Sequence, residues 1–309
     1  MLNTKEKKMQ NEEINFRELW ATIWAGKFII ISITIIFAIL SVLFALSKPN
    51  IYKASVILTP ASSEGGTGGL AALAGKFGGL ASMAGINLGA GGTDKTKLAL
   101  EIIKSRSFLE RFISKHNLLV PLMAATNWDL ATGTLIIDDK IYDKVNKKWL
   151  REVKAPKTPE PSLWEAYNVF SDLLFIDYDK KAAIIVIDIE YLSPTLAQQW
   201  LEWLIEDVNS YMSEQDFDEA QASINYLNDK LKGIKISAME TVFYQLIEEQ
   251  TKNMMLISVK PEYVLKTIDP PQVPEEKAKP QRGLIVILGT MLGGMLSVLF
   301  VLMRKKRMQ

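Results

Sequence analysis

Hydrophobic positions are unevenly spread along this chain: two uncharged apolar runs stand near its ends, and a patterned, more polar stretch fills the space between them. Phe28 to Ser47 carries no charge and is bracketed by Lys27 and Lys48. Gly283 to Met303 is equally free of charge and lies between Arg282 and Arg304. Each run is about 20 residues, enough for a helix to cross a hydrocarbon core roughly 30 Å thick. The pattern predicts transmembrane helices at 28–47 and 283–303, with residues 48–282 as one body on a single side of the membrane.

The flanks predict which side. Arg304, Lys305, Lys306 and Arg307 follow the second run, in a tail of residues 304–309, and Lys5, Lys7, Lys8, Arg17 and Lys27 precede the first, in segment 1–27. Flanking Lys and Arg stay cytoplasmic, and long loops translocate largely regardless of charge. Both termini are therefore expected in the cytoplasm and the body outside it. Before the first run, Phe16, Leu19, Trp20, Ile23 and Trp24 recur at spacings of three and four, one helical face with Trp20 and Trp24 suited to the membrane interface. Ala45 and Ser47 resemble the small residues of a cleavage site. The apolar run exceeds a signal-peptide core, so an uncleaved anchor is expected.

Within the body, Tyr52 to Pro60 is β-branched and ends at proline, which predicts a strand. Segment 65–92 holds most of the chain's 18 glycines, and Gly68–Gly75 is echoed by Gly78–Gly85. A helix is expected over about 94–115, with Leu98, Ile102, Leu109, Phe112 and Ile113 as its apolar positions. Trp164–Leu174 predicts another helix, and Leu174–Tyr178 and Ala183–Glu190 two strands turned at Asp179-Lys180-Lys181. Ile184 to Ile187 suits a central strand. The stretch of about 194–257 contains no proline after Pro194 and one glycine, Gly233, and predicts a long helix. Ile224, Leu227, Leu231 and Ile234 give it a coiled-coil-like seam. Unbroken, it would extend on the order of 95 Å, with Gly233 the expected break or bend. From 261 to 282 the prolines Pro270, Pro271, Pro274 and Pro280 predict a stiff, extended lead into the second span.

Composition narrows the chemistry. The net charge of +1 gives no bulk attraction to nucleic acid. With no cysteine and a single histidine, His116, thiolate catalysis, Cys-based zinc sites and His-rich metal sites are excluded. His116 reads as the polar end of a helix. A phosphate-cradling loop fails at Gly75-Lys76, where Leu70 replaces the leading glycine and Phe77 the hydroxyl residue. Asp138-Asp139, Glu248-Glu249 and Glu275-Glu276 are adjacent acids of the solvated kind. No catalytic residue, cofactor or metal is expected. Trp128, Trp149 and Tyr142 are aromatics weighed as candidate surface contacts against ordinary packing. Gly289, Gly293 and Ser297, with Gly294, place small residues along one face of the second run, where membrane helices can approach closely.

Several of these pieces, in this order, resemble the polysaccharide co-polymerases, the Wzz-type chain-length determinant proteins. They are Leu19-Trp20 through Lys27, the Tyr52–Pro60 strand, Ser105-Arg106-Ser107-Phe108-Leu109, and Ser193-Pro194 opening the long helix. Met254-Met255-Leu256, Glu262-Tyr263-Val264, Asp269 to Pro274, and Pro280-Gln281-Arg282-Gly283 before the glycine-bearing span complete the set. The long Gly-rich insertion and the approximate Pro280–Gly283 version of the proline motif are departures. The resemblance implies an α+β membrane protein in which two transmembrane helices flank a periplasmic α/β base domain with a long helical extension. It implies a ring-like homo-oligomer in the inner membrane, partnered by a glycan polymerase and by the lipid-linked glycan. The function implied is control of O-antigen or related polysaccharide length without bond chemistry. The chain's end at Gln309 is similar to the kinase-free type. The alternative is a capsule or exopolysaccharide export component working with a separate cytoplasmic tyrosine kinase.

Overall fold

The computed structural model describes residues 20, 23–61, 91–233 and 237–306. Most of the expected interfacial helix before Trp24, the Gly-rich repeat and the last residues of the basic tail lie outside these. The chain divides into two compact units, Ile51–Lys277 and the pair Met1–Asn50 with Ala278–Gln309.

The larger unit is built on an antiparallel sheet. Strand β1 (Ile51–Pro60) forms where the β-branched run was expected. Helices α2 (Gly91–Lys104), α3 (Arg106–Lys115) and α4 (Leu119–Ala124) follow the first apolar helix, α1 (Lys27–Ser47). Two small hairpins come next, β2 (Ala125–Asp129) with β3 (Thr134–Ile137) and β4 (Tyr142–Asp143) with β5 (Lys148–Trp149). Helix α5 (Leu163–Leu173) leads into β6 (Leu174–Asp179) and β7 (Ile184–Tyr191). Helices α6 (Pro194–Leu231) and α7 (Ser237–Val259) precede β8 (Leu265–Asp269) and the short β9 (Lys277–Lys279). The main sheet runs in the order β6-β7-β1-β8.

Strand β7 is central, as its apolar run suggested, but its burial alternates. Ile185, Ile187, Ile189 and Tyr191 are buried, whereas Ile184 is exposed. Only one sheet face is covered. On it Ala54, Val56 and Leu58 of β1 join the β7 residues in one core with Trp200, Leu201, Leu204 and Val208 of α6 and with Phe112 and Phe170. Each fully buried Ile or Leu contributes about 2 kcal/mol.

Two helix expectations need correction. The helix expected over 94–115 breaks at Ser105, whose backbone is extended (φ −68°, ψ 142°) and whose Oγ accepts from Phe108 N–H at 3.4 Å. Serine caps a helix better than it continues one, so α3 starts afresh. The long helix over about 194–257 is two helices. Phe217 of α6 faces Ile257 of α7, and Tyr226 faces Leu246, so the helices run antiparallel. The break falls at Gly233, whose N–H donates to Lys230 O at 3.1 Å. Phe243, Ile247, Met254 and Ile257 recur at spacings of four, seven and three on α7 and are half-buried, like Ile224, Leu227 and Leu231 on α6. A straight rod would leave both rows in water; folding back buries each against the other.

Capping explains the remaining boundaries. Ser162 and Glu165 form a reciprocal box at the start of α5, and Ser193 caps α6 with Pro194 in its first turn. Asp179 Oδ1 accepts from Lys181 N–H at 2.8 Å in the β6–β7 turn, where Ala183 has φ of 53°.

Candidate functional site

In the smaller unit the second apolar helix, α8 (Arg282–Lys306), packs along α1. A Cβ on Gly289 would fall 1.9 Å from Ser41 Oγ, and one on Gly293 would fall 2.4 Å from Phe37 Cβ. One on Gly26 would fall 2.5 Å from Val301 Cγ1. The pairs run in opposite order along the two helices, which are therefore antiparallel. Close approach here needs glycine, because any side chain would occupy space already filled. Ser297 is fully buried, and its Oγ donates to Gly294 O at 2.7 Å. Ser41 donates to Phe37 O and Thr290 to Val286 O, each at 2.7 Å, so these hydroxyls are satisfied within their own helices. Gly294 sits beside the seam, its nearest neighbour being Thr34 Oγ1.

Arg282 joins the pair at one end. Its Nε donates to Ala45 O at 3.3 Å and its Nη2 to Asn50 Oδ1 at 3.0 Å. A carbonyl of the last turn of α1 thereby gains a cationic donor, the charge a helix C-terminus favours. At the other end Trp24 is exposed and carries Lys27 Nζ 5.0 Å above its ring, and Trp20 is exposed as well. Both α1 and α8 are long and apolar enough to cross a membrane, which fits a membrane protein.

The expected proline motif forms a helix-free stretch between β8 and α8. Pro270 is exposed, Pro271 buried, and Pro274 and Pro280 half-buried; the Lys279–Pro280 bond is cis. Gly283 has open space at its Cβ position.

Polar clusters in the larger unit were mostly missed by sequence reasoning. Asn209, buried on α6, accepts from Val264 N–H at 2.8 Å and Leu265 N–H at 3.0 Å, and donates to Leu265 O at 3.0 Å. One side chain thus holds the entry to β8. Asp207 lies 3.0 Å from His116 Nε2 and 2.6 Å from Lys115 Nζ, while the imidazole stacks on Trp203 at 4.3 Å. His116 does end its helix, as its neighbours suggested, but it is also tied to α6. A readable trace existed: Asp207 falls three residues after Leu204 and seven after Trp200, on the apolar stripe of α6.

Lys95 and Tyr263 both meet Asp216 Oδ2. Burial, then the bond to Asp216, raises the Tyr263 hydroxyl's pKa. Burial opposes the Lys95 ammonium, but Asp216 outweighs it and the pKa is raised. Glu165 is held by Arg151 at 3.0 Å and Lys157 at 2.9 Å, and these two bonds press its pKa down to about 2. Each of these charged groups has a partner inside the unit.

The three aromatic candidates divide. Tyr142 packs edge-on against Trp149 at 4.9 Å, and Trp128 is half-buried on β2. Exposed aromatics lie elsewhere, at Trp164, Tyr226 and Tyr244. A cleft of about 420 Å³ between α6 and α7 is lined by Ser210, Ser213, Glu214, Phe217, Ile257 and Lys260 among others. Its one acid and one amine form no acid–base pair of carboxylates. No cluster of three or more His, Asp or Glu side chains able to hold a metal occurs among the described residues.

Comparison with known proteins bears on the family. Residues 12–116 match the Wzz family model, described as chain length determinant protein. Residues 236–306 match a second model, described as a G-rich domain on putative tyrosine kinase. The kinase-free type was expected, and this second match leans toward the kinase-linked one. No curated protein matches the chain. Among solved structures, a full-length bacterial polysaccharide co-polymerase is similar at 14% identity, covering 93% of this chain and 96% of that one, with a TM-score of 0.39. A fragment of WzzB, a polysaccharide co-polymerase from Salmonella Typhimurium, is similar at 15% identity over 74% of this chain and 100% of that one, with a TM-score of 0.32. The match of residues 12–116 to the Wzz chain length determinant model takes in the first apolar helix, strand β1 and helices α2 and α3.

Proposed function

We propose that the chain sets the length distribution of O-antigen or a related surface polysaccharide. It does so as a ring-like homo-oligomer of the inner membrane that scaffolds the glycan polymerase, the growing lipid-linked chain, or both. The match of residues 12–116 to the chain length determinant family carries this reading. Both termini face the cytoplasm and the body faces the periplasm, in keeping with the basic flanks at Lys27 and Arg304. Gly289, Gly293, Gly294 and Ser297 serve as the packing seam between the spans. Pro270, Pro271, Pro274, Pro280 and Gly283 serve as a stiff lead into the second. The role is mechanical. The charged clusters are engaged within the body, and the α6–α7 cleft offers no paired carboxylates, which favours scaffolding over bond chemistry.

Deleting the gene and resolving extracted lipopolysaccharide on a gel tests this. A shifted modal length with polymer still made supports the proposal; an unchanged ladder rejects it.

The match of residues 236–306 favours a second reading, a capsule or exopolysaccharide export component acting with a separate cytoplasmic tyrosine kinase. Deletion would then abolish secreted polymer, and crosslinking at the cytoplasmic end would recover the kinase.

A further inference from the structure

The α6–α7 hairpin leaves the core at one place. Buried residues crowd α6 from Pro194 to Met212, and beyond Met212 Ala220 alone is buried on this helix. One turn past Met212 stands Asp216, half-buried. Its Oδ2 accepts from the Tyr263 hydroxyl, four residues past the end of α7, and from Lys95 Nζ near the start of α2. Lys95 Nζ also donates to the Tyr263 hydroxyl at 3.2 Å and lies 5.5 Å from the centre of its ring. Three segments far apart in the chain are thus tied at the foot of the hairpin.

At this foot the two helices stand apart. The cleft of about 420 Å³ lies here, with Ser213, Glu214 and Phe217 of α6 on one wall and Ile257 of α7 with Lys260 on the other. On the core side of the cleft the chain is fixed. Asn209 clasps Val264 and Leu265, and Ala61 N–H donates to Val264 O at 2.8 Å. The tie itself is open to water, the Lys95 side chain being 49% exposed and that of Asp216 21%. Ion pairs of this exposure are weak, so the tie can part while the core stays folded. A fixed base, a gap to move into and a weak polar tie beside it are the parts of a hinge.

We propose that Lys95, Asp216 and Tyr263 form a latch that holds the α6–α7 hairpin in one stance, and that the hairpin swings about the cleft when the latch parts. Because Lys95 belongs to α2, the stance of the hairpin is linked to the start of that helix. Such a latch does not depend on what the chain does to glycan length.

Single-molecule energy transfer on the full-length chain in nanodiscs tests this. The chain has no cysteine, so D172C on α5 and E240C near the far end of the hairpin take the dyes without competition. Labelled chain is diluted into unlabelled chain, which keeps each distance within one molecule. The wild type should show one dominant distance and a minor swung one. K95M should raise the ratio of swung to latched molecules about fivefold, the effect of losing one exposed ion pair. D216A, which breaks both bonds, should raise it further, and K95R should retain the wild-type ratio. Salt at 1 M, where the Debye length is about 3 Å, should raise the ratio in the wild type and leave K95M unchanged. A second dye pair, D172C with K180C, stays within the base and should report one distance throughout. A wild-type ratio in K95M or D216A overturns the latch. So does an equal change in the D172C and K180C pair, since the whole body would then be loosening.

Discussion

Gly293 and Phe37 stand so close that a methyl group on the glycine would fall 2.4 Å from the phenylalanine Cβ. The contact lies near the middle of two helices that otherwise present large apolar side chains outward, and it sets how near their axes can come. Gly293→Leu is expected to force the pair apart. The variant should lose its α1–α8 packing, seen as loss of a disulfide engineered across the pair. The glycan ladder should shift with it. An intact crosslink and an unchanged ladder together would remove the seam from the mechanism.

Asn209 makes three hydrogen bonds to the backbone of Val264 and Leu265 from a buried position. Asn209→Leu removes them and leaves two backbone donors without partners, a loss of about 3 kcal/mol. Denaturant unfolding of the body should show a lower midpoint at unchanged slope. Hydrogen exchange should rise first in β8. A midpoint equal to wild type would mean that the strand is held by its pairing with β1 alone.

Asp207 joins Lys115, the last residue of α3, and the helix's C-cap His116 to α6. Asp207→Ala should cost about 2 kcal/mol, less than a fully buried pair because the Lys115 side chain is 59% exposed. Combined with His116→Ala the loss should fall short of additive, since both changes break one contact. Additive losses would show that the stacking of His116 on Trp203 is independent of Asp207.

Glu165 gives the body a defined acid response. Its folded pKa, about 2, lies below the ordinary 4.5, so the unfolded chain takes up the proton first as pH falls. The stabilisation it provides is complete above pH 4.5 and drains away between there and about 2. The stability gap between wild type and Glu165→Gln should be constant at neutral pH and close over that window. High salt should narrow it, because the Lys157 side chain that pairs with it is exposed. A gap that does not change with pH would mean the Arg151 and Lys157 contacts persist without charge.

Much of this architecture is legible in local pattern. The apolar runs at 28–47 and 283–303 announced α1 and α8, the β-branched stretches announced β1 and β7, and Gly233 was the one weak point in the long helical region. Local pattern could not show that α7 turns back onto α6. Half-buried rows such as Ile224 and Leu227 suit a partner helix in another chain as well as one in the same chain. The single helix expected over 94–115 failed because periodicity averages over a turn, whereas Ser105 acts at one residue.

Charge, hydropathy and breaker residues act within a few positions of themselves. From sequence alone they determined where the two long apolar helices lie, where strands begin and which chemistries the missing cysteines rule out. Which glycine meets which side chain was decided only by the tertiary structure, as were Asn209 as the clasp of β8 and the meeting of Gly26 with Val301 at one end of the helix pair. Those depend on residues far apart in the chain being brought to contact distance, and no local pattern encodes that distance.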